Sequence, residues 1–112
     1  MVTNDVFCKL ALSFPGGIEL PHFEKRSFRL NKKIFATLDE KKSIAMVRFS
    51  LIDQSVFCDM NKGIIYPVPG GWGKQGATYI NLKDVKIKVL KDALKCAYEL
   101  VAKKKVSSTN KK

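Results

Sequence analysis

LPHFEKRSFRLNKKIFATLDE, residues 20–40, is the stretch that decides the fold. Phe28 and Leu30 alternate with Ser27 and Arg29, and Ile34, Ala36 and Leu38 alternate with Phe35 and Thr37. A period of two is the mark of a half-buried strand, whose successive side chains point to opposite sides. Between the two runs stands Asn31-Lys32, and Asn tolerates the left-handed backbone of a short hairpin turn. The stretch therefore predicts two antiparallel strands joined by a tight turn, with the rest of the chain packing around them or closing over them.

Upstream, Val6, Phe7, Leu10, Ala11 and Phe14 recur at helical spacing, Thr3 or Asn4 is placed to cap the helix, and Pro15-Gly16-Gly17 stops it. Residues 18–22 form a short first strand, broken at Pro21. Downstream, a polar turn at 39–42 leads into a strand over 43–49. Ser50 and Asp53 have the spacing of a capping box and open a helix that Asn61-Lys62-Gly63 ends. Residues 64–68 are extended, since Pro67 and Pro69 forbid a helix. A glycine-rich loop, PGGWGKQG, follows, then a last strand from Ala77 to Leu82. From about Val85 a helix buries Leu90, Ala93, Leu94, Ala97, Leu100 and Val101 and turns Lys88, Lys91 and Lys95 outward.

A chain of 112 residues with 46% hydrophobic content is one globular domain, here residues 1–105, followed by a basic tail at 106–112 expected to be disordered. No apolar run reaches the roughly 18 residues of a membrane span, and no secretion signal is visible at the N-terminus, so the expected location is the cytoplasm. Cys8, Cys58 and Cys96 are odd in number and set among apolar neighbours, which fits buried reduced thiols rather than a disulfide framework. A monomer is the favoured state.

The net charge is +11, and the last ten residues hold five lysines and no acid, which leaves +6 on the rest. Such a balance implies a polyanion, most simply DNA or another nucleic acid. A solvated surface that keeps a small protein soluble gives the same composition. Lysines outnumber arginines 18 to 3, so contact would go mainly to phosphates, because arginine is the residue that reads bases with a fork.

Catalytic patterns are sparse. His22 is the only histidine, and Ser27 lies five residues on with no nucleophile-elbow motif or second base. Cysteine spacings of about fifty and forty residues without a C-x2-C pair do not make a zinc site. The acids fall in turns or beside lysines, where they are solvated. PGGWGKQG lacks the G-K-[ST] of a P-loop, and a strand follows it, so it is no phosphate cradle. One expectation for this loop is that Trp72 packs on the sheet and anchors it. The other is that Trp72 is partly exposed and lines a binding surface with His22, Phe23 and Lys74. Neither metal nor cofactor is expected, and the protein reads as a non-enzyme.

The runs PHFEKRSFR, KKIFATLDE, PVPGGWGKQGATYINL and ALKCAYELVAKK together resemble the MmcQ/YjbR-type family of small bacterial proteins, and the resemblance covers most of the chain. His22, Phe23, Lys25, Ser27, Phe28, Lys33, Phe35, Ala36 and Thr37 match the first motif, and Trp72, Gly73 and Gly76 the second. It implies a CyaY-like, frataxin-like α+β fold described as a double-wing DNA-binding arrangement, with no enzymatic activity assigned. Two positions depart from the pattern. Ala77 stands where the family usually has Trp, which would enlarge any shared pocket, and Arg26 stands where similar sequences often have Pro. The acidic ridge of an iron-binding frataxin has no counterpart on these basic helices.

The expected architecture is a single two-layer α+β domain, an antiparallel sheet with the N- and C-terminal helices on one face. Two functions fit it. A nucleic-acid-binding protein would use Lys25, Arg26, Arg29, Lys32, Lys74, Lys88, Lys91 and Lys95 on phosphates. A small-ligand or protein-interaction module would use a cleft around His22, Phe23, Ser27 and Trp72.

Overall fold

The computed structural model describes residues 2–22 and 24–110, with side chains as far as Ala102. Helix α1 (Asn4–Leu12) is capped by Thr3, whose hydroxyl accepts from the Val6 amide. Strands β1 (Ile18–His22), β2 (Lys25–Leu30), β3 (Lys33–Asp39) and β4 (Ile44–Arg48) follow as an antiparallel meander. The β2–β3 turn is the one expected: Asn31 and Lys32 both adopt positive φ, at 52° and 70°. Helix α2 (Leu51–Met60) starts at Ser50, whose hydroxyl accepts from the Asp53 amide, and ends at Asn61. Strand β5 (Ile65–Pro67), a short helix α3 (Gly71–Lys74), strand β6 (Ala77–Asn81) and helix α4 (Ile87–Asn110) complete the chain. The tail expected at 106–112 falls where side chains lie outside the described residues.

All six strands form one antiparallel sheet in the order β1-β2-β3-β4-β6-β5. The meander thus stops at β4. The chain leaves the sheet through α2, lays β5 on the far edge and returns with β6 between. Both edge strands carry a proline, Pro21 and Pro67, a residue that cannot donate to a further strand and so blunts an open edge.

The core lies between the sheet and the α1/α4 layer. Phe7 of α1 meets Phe28 edge-on, and Phe35 meets both Phe14 and Tyr98 edge-on. Leu38, Val47, Ile80, Leu90 and Leu94 fill the space between them, all fully buried. At the other end Phe57 of α2 stacks on Phe49, with ring centroids 4.8 Å apart.

One local feature breaks the expected alternation. Phe28 pairs with Ala36 but Arg29 pairs with Ile34, so Phe35 is an extra residue in β3. This β-bulge lets Phe35 join the core beside Ala36, and it turns Ile34 to the opposite face from Ala36 and Leu38. The simple period of two had placed Ile34 with them.

Candidate functional site

Antiparallel partners share a face and residues alternate along each strand, so the pairing separates the two sides of the sheet. The helix-covered side carries Phe28, Ala36, Val47 and Thr78 in one row. Among the described residues, no helix covers the centre of the other side. Its middle row runs Leu20, Ser27, Thr37, Met46, Tyr79, Tyr66 across all six strands. Two residues along, about 7 Å by strand geometry, lies a row holding Ile18, Arg29 and Ile34, and then Arg48 beside Ala77. Two residues the other way lie His22 beside Lys25, then Asp39, Ile44 and Asn81.

This open face is concave. It encloses about 540 Å³, with Ile34, Ile44, Met46 and Tyr79 as its floor, His22, Lys25, Asp39 and Lys42 at one end, and Arg48, Trp72 and Gln75 toward the other. That volume falls within the range of small-molecule and cofactor sites, about 300–1,000 Å³. Alanine at position 77 contributes to the breadth of the hollow, since its methyl lines the wall next to Arg48.

The wall that carries Trp72 is held by backbone, not by its tryptophan. A side chain at Gly73 would collide with the Val68 carbonyl, and one at Gly76 with the Phe49 carbonyl. Gly76 also has φ of 108°, open to glycine at little cost. The Phe49 amide donates to the Gly76 carbonyl at 3.0 Å. From beneath, buried Gln54 of α2 directs its amide nitrogen to the carbonyls of Gly73 and Ala77 and to Thr78 Oγ1, at 2.9, 3.2 and 3.1 Å. The glycines permit this close approach, and the segment folds into α3 where a loop was expected. Trp72 is consequently not an anchor: 71% of its surface is exposed. This corrects the expectation that it packs onto the sheet and agrees with the other only in that the ring is exposed and stands in the lining with His22.

Of the anticipated phosphate contacts, the structure brings together only some. Lys25 lines the concavity, Lys74 sits on α3 beside Trp72, and Lys32 is exposed in the turn near the Arg29 end. Arg29 shares the open face, with its Nε donating to Ser27 Oγ at 3.0 Å. Arg26 points to the helix-covered side, where its guanidinium grips both oxygens of Glu19 and also reaches Glu40. Its place among the phosphate ligands is withdrawn, because it is already neutralised within the fold. The bond from Arg26 holds the Glu19 carboxyl below its ordinary range. Lys88, Lys91 and Lys95 are exposed on α4, which covers the opposite side of the sheet. They form a second basic surface separate from the concavity.

Of the alternative cleft residues, His22 and Trp72 both line the concavity. Ser27 is fully buried, its hydroxyl donating to the Leu20 carbonyl while accepting from Arg29. It ties β1 to β2 and presents no group to a ligand. Phe23 lies outside the described residues. The three thiols are unpaired, Cys8 buried and Cys58 and Cys96 partly so. Burial pushes each up from its ordinary value, the reverse of what activates a nucleophilic cysteine. Among the described residues, no three His, Cys, Asp or Glu side chains gather as a metal site requires. No described helix is long and apolar enough to cross a membrane.

Lys42, Arg48, Met46 and Tyr79 were not singled out from the sequence. The signal was there in Ile44, Met46 and Arg48, which alternate with Ala45, Val47 and Phe49. A strand apolar on both sides has a second surface to account for. Among the described residues, the side chains of Lys25, Lys42, Arg48 and Lys74 have no carboxylate partner, whereas Arg26, Lys41 and Lys62 do.

The fold is that of a solved structure, protein DR2400 of Deinococcus radiodurans, which carries a DUF419 domain. The match has a TM-score of 0.81 at 19% identity and covers 93% of this chain and 81% of that one. DUF419 is the MmcQ/YjbR-type family, and at this identity the likeness is one of fold. No family model and no curated protein sequence matches the chain.

Proposed function

We propose that this protein is a nucleic-acid-binding module with no catalytic step of its own, and that its contact surface is the open face of the sheet rather than the helix layer. The observation that carries this reading is the set of unpaired cations, Lys25, Lys42 and Arg48, around an apolar floor in a chain of net charge +11. Cations left without internal partners are available to replace the counterions of a phosphate chain, and their release drives binding. Among the described residues of the wall the acid is Asp39, and its Oδ1 accepts from the Lys42 amide, which binds it into the β3–β4 turn. Contact made mostly by lysine is indifferent to base sequence, with affinity on the order of micromolar at physiological salt.

The test compares two triple variants in a salt-titrated binding assay. Lys25, Lys42 and Arg48 changed together to Gln should abolish most binding and flatten the salt dependence. Lys88, Lys91 and Lys95 changed to Gln should leave the larger part intact. The opposite ranking transfers the interface to α4, and no binding by the unaltered protein at low salt ends the nucleic-acid reading.

A second reading is favoured by the volume and shape of the hollow: a small anionic ligand held between His22, Lys25, Lys42 and Arg48. It predicts saturable binding of one compact anion with little gain from a longer polyanion, where the first reading predicts affinity that rises with strand length.

A further inference from the structure

We infer, resting on the nucleic-acid reading above, that the partner is single-stranded DNA, laid across the open sheet face with its bases turned down, one of them stacked on Trp72. Three features of the site lead there.

The first is Trp72 itself. It is the only tryptophan in the chain, 71% exposed, and it stands at the rim of the concavity on a segment immobilised by Gly73, Gly76 and Gln54. An indole carried on a held backbone at the edge of a hollow is a ready stacking surface, since the ordering cost of the segment is met before any ligand arrives. Every base has a π-face, so such stacking tolerates any sequence.

The second is the floor. Ile34, Ile44 and Met46 lie between the cations of the two ends. A duplex keeps its base faces stacked inside and would press sugar and phosphate onto these side chains, stripping water from charged oxygens with nothing in return. A single strand reverses this, offering base faces to the floor and Trp72 while its phosphates rise to Lys25, Lys42 and Arg48. Tyr79 sits in the same floor and packs edge-on with Tyr66, centroids 5.7 Å apart, which extends the aromatic surface to the β5 edge.

The third is the apolar character of the middle of the hollow. Among the described lining residues the polar groups His22, Lys25, Asp39, Lys42, Arg48 and Gln75 stand toward the two ends, while Thr37 and Tyr79 carry the hydroxyls nearer the middle and Thr37 is buried. A ribose 2′-OH set on Ile34 or Met46 would lose its hydrogen bonds to water without replacement, so the deoxy sugar suits this surface better.

Because Trp72 is the sole tryptophan, the fluorescence of the unaltered protein reports the site directly. The full chain is titrated with oligodeoxythymidylate about twelve nucleotides long, within the footprints of single-strand binders, with the matching oligouridylate, and with a mixed-sequence duplex of the same length. The expected result is quenching by the DNA single strand, affinity at least about tenfold above the duplex, and weaker binding of the RNA. Trp72→Ala should weaken single-strand binding about tenfold or more, and Trp72→Phe should restore most of it. Changing Lys25, Lys42 and Arg48 to Gln should lower the salt slope by about 2, the single-strand increment for three phosphates. Duplex binding as tight as single-strand binding, single-strand binding without a fluorescence change, or an unaffected Trp72→Ala variant would each overturn this inference and leave the broader reading standing. RNA bound as tightly as DNA would overturn the assignment to DNA. Binding of none of the three would overturn both proposals together.

Discussion

Replacing Gln54 with Met isolates the device that sets the shape of the candidate site. Methionine keeps the length and volume of the side chain and removes its donor. The Gln54 amide has two hydrogens shared among the carbonyls of Gly73 and Ala77 and the Thr78 hydroxyl, so about two hydrogen bonds are lost, each worth about 1 kcal/mol net. The cost stays near that net value, because neither carbonyl is orphaned. Gly73 still accepts from the Gly76 amide and Ala77 from the Val68 amide, both at 3.0 Å. The expected loss is about 2 kcal/mol, equivalent to a fall of about 10 °C in Tm for a domain near this size. A second readout tests the link to the site: with α3 untethered, the fluorescence anisotropy of Trp72 should drop and its quenching by acrylamide should rise. Gln54→Glu should be worse than Gln54→Met, since a carboxylate would face two carbonyl oxygens in a buried position. A Gln54→Met variant within about 0.5 kcal/mol of the parent, with unchanged anisotropy, would refute the reasoning and mean that the glycines alone hold the segment.

Three further outcomes are expected. Trp72→Ala should cost less than about 1 kcal/mol in chemical denaturation followed by circular dichroism, well short of the roughly 3 kcal/mol typical of a packed aromatic, because most of its surface is already in water; a larger loss would show that the indole packs after all. Gly76→Ala should lose at least about 2 kcal/mol through backbone strain and the encounter with the Phe49 carbonyl. Gly70→Ala, with positive φ of 83° but open space around it, should lose clearly less; equal losses would place the whole effect in φ. Glu19 is held below its ordinary range by Arg26, so its contribution is present above the unfolded carboxyl value of about 4.3 and vanishes as pH falls through the folded one. Thermal melts of the parent and of Glu19→Gln should therefore converge on acidification below about pH 4.3, and a constant gap across that range would argue against the Glu19–Arg26 clasp.

The sequence by itself determined what is local. The hairpin at Asn31-Lys32, the caps at Thr3 and Ser50, the stop at Asn61 and the buried stripe of α4 all follow from contacts within a turn or two of chain, and all are found in place except that Leu100 of the stripe is only partly buried. The α+β class and the two helices on one side follow from the same patterns, since an apolar helix stripe and an apolar strand face must cover each other. What only the tertiary structure decided involves residues far apart in the chain. The insertion of β6 between β4 and β5 depends on which edge α2 delivers the chain to. The bulge at Phe35 depends on the stacked pair of Phe14 and Tyr98, which Phe35 meets edge-on in the core, and it moved Ile34 into the candidate site. Arg26 looked like any other basic residue until Glu19 and Glu40 were folded against it. Trp72 illustrates the limit most plainly. A glycine-rich segment around one aromatic suggests a ring that pins its loop, but close backbone approach at Gly73 and Gly76 and a glutamine from a distant helix had already pinned it, and that left the ring to face water.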